Sequence, residues 1–312
     1  MQSKKEGFSA LSIEEVSKIV RESSNASCRL DPVPTWLLKS CLDVLAPPIT
    51  EMVNLSLLSG HVPEYWRTAV VSSLLKKPGL DLVYKNFRLV SNLPFISKVV
   101  EKAALQQLLV HRKKNAPLPK FQCGFRKYHS TETALLKVQN DILMSMDNKA
   151  VTLLVLLDLS AAFDTTEHSI LLNILQQDFG AVGTALNWSD SFLSGRKQRI
   201  LVGDKTSDDF NLNCGVPQGS CMGPILFTLY VSRLFNIISQ HLPSVHGYAD
   251  DTQIYLSFRP CSIHSEINAV SAIEMCIADV RSWFIANRLM INDAKTEFLV
   301  IGTRQQLKKN IY

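Results

Sequence analysis

Two adjacent carboxylates, in Tyr248-Ala249-Asp250-Asp251, constrain this chain more than any other feature. Val245 precedes them and Ile254-Tyr255-Leu256 follows. That pattern reads as a strand, a tight turn carrying both acids, and a returning strand, because short Asp side chains bond nearby backbone in turns. Side by side, two like charges raise each other's pKa unless something positive neutralises them. Carboxylate oxygens are the ligands that hard Mg²⁺ selects. A third acid, Asp158, ends the apolar run Val151-Thr152-Leu153-Leu154-Val155-Leu156-Leu157. Such runs are buried on both faces and belong at the centre of a sheet. With the Asp250-Asp251 hairpin as the neighbouring strand pair, three carboxylates are expected to converge on one point. Two metals roughly 3.5–4 Å apart, clamping the attacking and leaving oxygens of phosphoryl transfer, need that geometry.

The chain has 312 residues and 46% hydrophobic content, enough for a sizeable buried interior and too much for a disordered class. Its net charge of +5 is modest, but the basic residues cluster at Lys76-Lys77, Arg112-Lys113-Lys114, Arg126-Lys127 and Arg196-Lys197 with Arg199. Any one cluster reads as solvated surface. Beside a phosphoryl-transfer site they form a candidate electrostatic footprint for nucleic acid. Seven cysteines, an odd number with no C-x-x-C pair, suggest reduced thiols in a cytosolic or nuclear protein and argue against zinc. The segment Met1 to Glu6 lacks the apolar core of a signal peptide. No stretch reaches the roughly 18 apolar residues of a membrane span. A protein neither secreted nor membrane-bound is expected.

Along the chain, Ser12 caps a helix with Glu15 at its third position. Thr35 to Leu45 reads as a second helix, and Pro47-Pro48 as the start of a third that ends near Gly60. Strands are expected over Thr68 to Leu75 and Phe87 to Val90, and helices over Ser97 to Val110 and from Ser130-Thr131-Glu132 to Met146. After the Asp158 strand come helices near Ser169 to Asp178 and Gly183 to Leu193. Lys197 to Val202 and Asp209 to Leu212 read as a strand pair, and Cys221 to about Ser239 as one long apolar helix. Ile263, Ile267, Val270, Ile273, Ile277, Val280 and Phe284 mark an amphipathic helix. Phe298 to Ile301 supplies a last strand.

Three segments occur in fixed order: Leu157-Asp158-Leu159-Ser160-Ala161-Ala162-Phe163-Asp164, Gly215-Val216-Pro217-Gln218-Gly219-Ser220, and the Tyr248 to Asp251 quartet. They resemble the palm motifs of reverse transcriptases, specifically those of non-LTR (LINE-type) retrotransposons. Flanking matches are Asn86-Phe87-Arg88-Leu89-Val90-Ser91-Asn92-Leu93-Pro94, Gly124-Phe125-Arg126, His129-Ser130-Thr131-Glu132, and Asn292 with Lys295-Thr296. The resemblance runs from about Ser9 to Gly302. It implies an α+β right-hand polymerase fold with fingers and palm, the antiparallel palm sheet backed by helices. It also implies an RNA-directed DNA polymerase that adds deoxynucleotides to a primer 3′-hydroxyl. The cofactors would be two Mg²⁺ ions, with Mn²⁺ as the alternative. The partners would be an RNA template, a DNA primer and deoxynucleoside triphosphates.

Carried over residue by residue, the resemblance makes Asp158, Asp250 and Asp251 the catalytic metal ligands, Asp250 the more direct of the pair, with Leu159 in the same metal set. Asp164 is structural. Phe163 lies under the incoming sugar and blocks a 2′-hydroxyl, which disfavours an RNA-dependent RNA polymerase. Gln218 contacts nucleotide and template, while Gly215 and Gly219 let backbone approach a ligand closely. Arg88 contacts the triphosphate. Lys295 approaches the pyrophosphate leaving group as a general acid. Lys76, Lys77, Arg126 and Lys127 hold nucleic acid.

The chain departs from the family pattern at Leu89 and Ser73, where proline is usual, at Ser189 after Trp188, and at Thr166-Glu167 before His168. The expected organisation is an N-terminal helical extension over 1–66, fingers and palm over 67–302, and a tail over 303–312 too short for a thumb. Two readings follow: a polymerase domain of a larger retrotransposon protein, or a truncated, non-catalytic nucleic-acid-binding remnant of one. Oligomeric state is left open.

Overall fold

The computed structural model describes residues 4–115, 118–242 and 244–308, so the end of the expected tail, 309–312, lies outside the described residues. The first part of the chain forms α1 (Ile13–Glu22), α2 (Thr35–Ser40), α3 (Leu42–Ser59), α4 (Glu64–Arg67), β1 (Thr68–Leu75), β2 (Phe87–Asn92) and α5 (Phe95–Asn115). Next come α6 (Thr131–Asp147), β3 (Val151–Leu157), β4 (Leu159–Ser160), α7 (His168–Gln177), α8 (Gly183–Leu193), β5 (Arg196–Val202), β6 (Lys205–Thr206) and β7 (Phe210–Leu212). The remainder is α9 (Gly223–Tyr230), α10 (Leu234–His241), β8 (Ser244–Tyr248), β9 (Asp251–Phe258), α11 (Ile263–Ala286), β10 (Met290–Ile291), β11 (Glu297–Ile301) and α12 (Arg304–Leu307). These elements fall into two compact units, one of residues 1–117 and 167–226, the other of 118–166 and 227–312.

In the first unit, β1 pairs antiparallel with β2 and parallel with β5, and β5 carries β6 and β7. Around Trp188, which is fully buried, Phe8 packs edge-on and Phe192 stacks, and the indole N–H donates to Ser56 Oγ at 3.1 Å. Ser189, where the family pattern has a large apolar residue, is buried and satisfied by donating to the Ala185 carbonyl at 2.9 Å.

The boundary between α2 and α3 differs from the sequence expectation. The break falls at Cys41, and Pro47 and Pro48 lie inside α3 instead of opening it. The cause is burial. Leu42, Ala46, Ile49, Val53 and Leu57 make a continuous apolar stripe along α3, and both proline rings sit on its exposed side. The end is as expected, with Gly60 in the left-handed conformation, φ 69°.

The second unit is built on an antiparallel sheet of order β11-β3-β9-β8, with a small β10-β4 pair beside it. Strand β3 is interior, paired to β11 on one side and β9 on the other. Helix α6 packs on β3 and β8, and its Val138 and Ile142 cluster with Leu154, Leu156, Tyr255 and Ile301 of the sheet. Side chains alternate along a strand, so Val155 and Ile254 face the other way. Helix α11 packs against β9 and α10. Its buried stripe is Ala269, Ile273, Cys276, Val280 and Phe284. Ile263 and Ile267, expected in that stripe, are exposed because the first turns of α11 lie beyond its buried part. The single helix expected from Cys221 to Ser239 is two, α9 and α10, broken at 231–233, where the Ser232 hydroxyl donates to the Leu229 carbonyl at 2.6 Å.

Tyr255 joins sheet and helix by a second route. Its hydroxyl donates to Asp141 Oδ2 at 2.6 Å, and Lys137 pairs with the same oxygen. Burial pushes the Asp141 carboxyl up, but the bonds from Lys137 and Tyr255 outweigh it and hold it below the usual carboxylate range. A depressed carboxyl stabilises the fold above its unfolded pKa, and that contribution is lost as pH falls through the folded value. Tyr255→Phe is therefore expected to cost about 1.5–3 kcal/mol near neutral pH, the usual worth of a bond to a charged group. The deficit should shrink in acid, as read by chemical denaturation at both pH values.

Candidate active site

The acids in the second unit are placed by strand register. Leu157 pairs with Thr252, so the next step along each strand sets Asp158, just past β3, beside Asp251, the first residue of β9. Tyr248 pairs with Asp251, which leaves Ala249-Asp250 as a two-residue turn. Such hairpin turns require φ > 0 at their first central residue, a conformation usually given to Gly or Asn. Here it is Ala249, at φ 59°.

Asp158 is held from the β10–β11 connection. Asn292 Nδ2 donates to Asp158 Oδ2 at 2.9 Å, and the Asn292 backbone N–H donates to the Asp158 carbonyl at 2.8 Å. Lys295 Nζ lies 3.3 Å from the same Oδ2. A tight turn sets this up: the Asn292 carbonyl accepts from the N–H groups of Lys295 and Thr296 at 3.0 and 2.9 Å. Asp251 stays accessible to solvent, yet partial burial and then the Asp250 and Asp158 carboxylates push its pKa up, with Lys295 opposing.

The sequence predicts three carboxylates gathered as a metal cradle. Among the described residues no three His, Cys, Asp or Glu side chains are gathered to hold an ion. Asp158 Oδ2 is engaged by Asn292 and Lys295. The donor chemistry nevertheless fits a hard divalent cation, since all three side chains offer oxygen and the charges of the other two acids burden Asp251. Leu159 is buried in β4, paired with Ile291, and its side chain carries no ligating atom.

Phe163 is half-buried, its ring stacked on that of the fully buried Phe227 with centroids 5.0 Å apart. Arg126 donates to the Pro119, Lys120 and Gln122 carbonyls at 3.5, 3.2 and 3.4 Å, so it organises its own loop. Lys127 lies over the Tyr128 ring.

The other expected site residues belong to the first unit. Arg88 is exposed on β2, and Lys76 and Lys77 follow the end of β1. The loop with Gln218 and Gly219 abuts β2, the Gln218 carbonyl accepting from Ser91 N–H at 2.7 Å. A Cβ on Gly219, at φ 119°, would lie 2.4 Å from the Ser91 carbonyl oxygen. One close approach this glycine permits is to β2. The same loop is held by Glu101 of α5, fully buried, whose carboxylate accepts from Cys221 N–H at 2.8 Å.

A model of the family described as reverse transcriptase (RNA-dependent DNA polymerase) matches residues 75–309. The chain belongs to that family. This reverse transcriptase-family chain is 31% identical over 302 residues to the probable RNA-directed DNA polymerase from transposon X-element of Drosophila melanogaster, covering 94% of this chain and 32% of that protein. It is 27% identical over 250 residues to the RNA-directed DNA polymerase from mobile element jockey of the same organism, covering 78% and 26%. These matches agree with the non-LTR resemblance carried by its motifs. The reverse transcriptase match thus spans about a third or less of the length of those relatives. A solved structure of apo telomerase from Candida tropicalis, truncated from its C-terminal domain, superposes with a TM-score of 0.53 at 14% identity, covering 77% of this chain and 51% of that one. That likeness bears on the fold alone.

The sequence reading missed Gln122, buried beside the acidic turn. One signal was available: a two-residue turn led by Ala instead of Gly or Asn needs support from elsewhere in the chain. Asn292→Ala is expected to cost about 1.5–3 kcal/mol, because the Asp158 carboxylate is a charged acceptor. Asn292→Asp should cost more, setting a second carboxylate against it. Urea denaturation of both variants checks the order.

Proposed function

We propose that this chain acts as the catalytic portion of an RNA-directed DNA polymerase, adding deoxynucleotides to a DNA primer on an RNA template. The observation that carries the reading is the register that puts Asp158 beside Asp251, at the ends of two interior strands of an antiparallel sheet, in a chain of the reverse transcriptase family. In family terms this sheet with α6 and α11 is the palm, and β1, β2 and the Gln218 loop belong to the fingers. Asp158, Asp250 and Asp251, with Leu159 adjoining, would hold two Mg²⁺ ions, or Mn²⁺, which supply charge neutralisation for phosphoryl transfer.

The chain's own groups do the positioning. Asn292 fixes the Asp158 carboxylate through side chain and backbone. Lys295, already 3.3 Å from that carboxylate, is the proposed acid that gives a proton to the leaving pyrophosphate. Phe163 is the proposed wall against a ribose 2′-hydroxyl, and Phe227 behind it keeps the ring from yielding. Arg88 is the proposed triphosphate contact, Gln218 and Gly219 the proposed nucleotide and template contacts. Lys76, Lys77, Arg126 and Lys127 are proposed to meet nucleic-acid phosphates. All seven cysteines are free, which suits a cytoplasmic or nuclear setting. No helix among the described residues is long and apolar enough to cross a membrane.

The test is primer extension on an RNA template with Mg²⁺, beside an Asp250→Asn control. Extension is expected from the wild-type chain and a loss of about a hundredfold or more in the variant, the scale on which one preorganised charge-stabilising group acts. Equal activity in both, or none in the wild type, overturns the reading. Phe163→Val is expected to raise ribonucleotide incorporation by far more than it lowers deoxynucleotide incorporation. Unchanged discrimination would reduce Phe163 to a packing residue.

A further inference from the structure

Ala249 is an L-residue in left-handed backbone, φ 59°, at the turn that carries Asp250. Such a residue stays there only where the surroundings over-determine it. One side chain does this. Gln122, 1% exposed, donates from Nε2 to the Ala249 carbonyl at 3.3 Å and accepts at Oε1 from the Ala249 N–H at 3.3 Å. The same Oε1 accepts from Gly124 N–H at 3.0 Å. A carboxamide is suited to this because it carries donor and acceptor side by side, as a carboxylate or thioether does not.

The segment that bears Gln122 is itself fixed along the outer edge of β8. Cys123 N–H donates to the Gly247 carbonyl at 2.8 Å, and Gly247 N–H to the Phe121 carbonyl at 2.9 Å. A Cβ on Gly124 would lie 2.2 Å from Ala249 N, so only glycine lets this segment press against the turn. Arg126 ties the loop together through three of its carbonyls.

We propose that Gln122 is a positioning residue whose carboxamide holds the Ala249-Asp250 turn in its strained conformation and so fixes the Asp250 carboxylate for polymerisation. The proposal rests on the polymerase reading for its consequence and on the turn geometry for its cause. Gln122→Met keeps the length of the side chain and removes both hydrogen-bonding groups. Ala249→Gly lets the turn adopt its conformation without strain.

The experiment uses the 312-residue chain. Amide hydrogen exchange is followed at 247–251 without metal or nucleic acid, and single-nucleotide addition is measured alongside. For Gln122→Met, exchange at 247–251 should be about tenfold faster or more, while α6 and α11 keep their protection. Its kcat should fall about tenfold or more, with the nucleotide KM changed by less than about threefold. Adding Ala249→Gly to Gln122→Met should recover part of the lost kcat, which a simple loss of packing would not allow. Should Gln122→Met unfold the chain, Gln122→Asn keeps donor and acceptor one carbon too short to reach, and the same local loosening is expected. Unchanged exchange at 247–251, or a kcat loss that Ala249→Gly leaves intact, overturns the clamp. A wild-type chain that adds no nucleotide overturns the polymerase reading instead, and exchange alone then decides whether Gln122 holds the turn.

Discussion

The pairing of β3 with β9 determines where Asp158 and Asp251 lie. Strand β3 is apolar along its length, so it needs a partner strand on each side and a helix-covered layer on its faces. Its first charged residue can come only at its exit, and that residue is Asp158. The register with β9 then sets Asp251 beside it. A one-residue slip would turn Ile254 and Tyr255 to the wrong faces, exposing one and burying the other against the wrong helix. The competing cost is repulsion: two like charges about 4 Å apart oppose each other by roughly 4 kcal/mol at the effective dielectric near a protein surface. Burying Leu153, Leu154, Val155, Leu157, Ile254 and Tyr255 contributes about 1.5–3 kcal/mol each. Hydrophobic register wins, and the acids are left to find their own neutralisation.

That neutralisation is divided unequally. Asp158 receives a cation and two hydrogen bonds from one short turn, whereas Asp251 has burial and two acids against it and only the more distant help of Lys295. The imbalance leaves oxygen ligands in want of positive charge on the hairpin side.

Much of this was legible in the sequence. The β3 run, the acidic hairpin, the capping box of α1 and helix α8 follow from local patterns that tertiary packing did not contradict. Where packing overrode the local signal, the reading failed. Pro47-Pro48 speaks for a helix start, but the stripe from Leu42 to Leu57 needed one continuous face. The apolar run after Cys221 carries no Pro or Gly at the place where it breaks, so nothing in it announced two helices. Gly219 was recognised as a point of close approach, yet a single sequence could not say that the approaching group is Ser91 of β2. Gln122 was hidden for the same reason, since Ala249, the turn residue it holds, lies more than a hundred residues away.

The alanine at the turn shows how position can be bought with strain. Glycine at 249 would reach φ 59° without the penalty that alanine bears there. Alanine has fewer alternatives, and once a buried carboxamide occupies both of its backbone groups, leaving the turn means abandoning hydrogen bonds in a site closed to water. Breaking those bonds without replacement costs more than the strain of the left-handed backbone, of order 1–3 kcal/mol. The turn is therefore narrow because it is strained and clamped together. That is a conformational restriction a site needs when its chemistry depends on where one carboxylate stands.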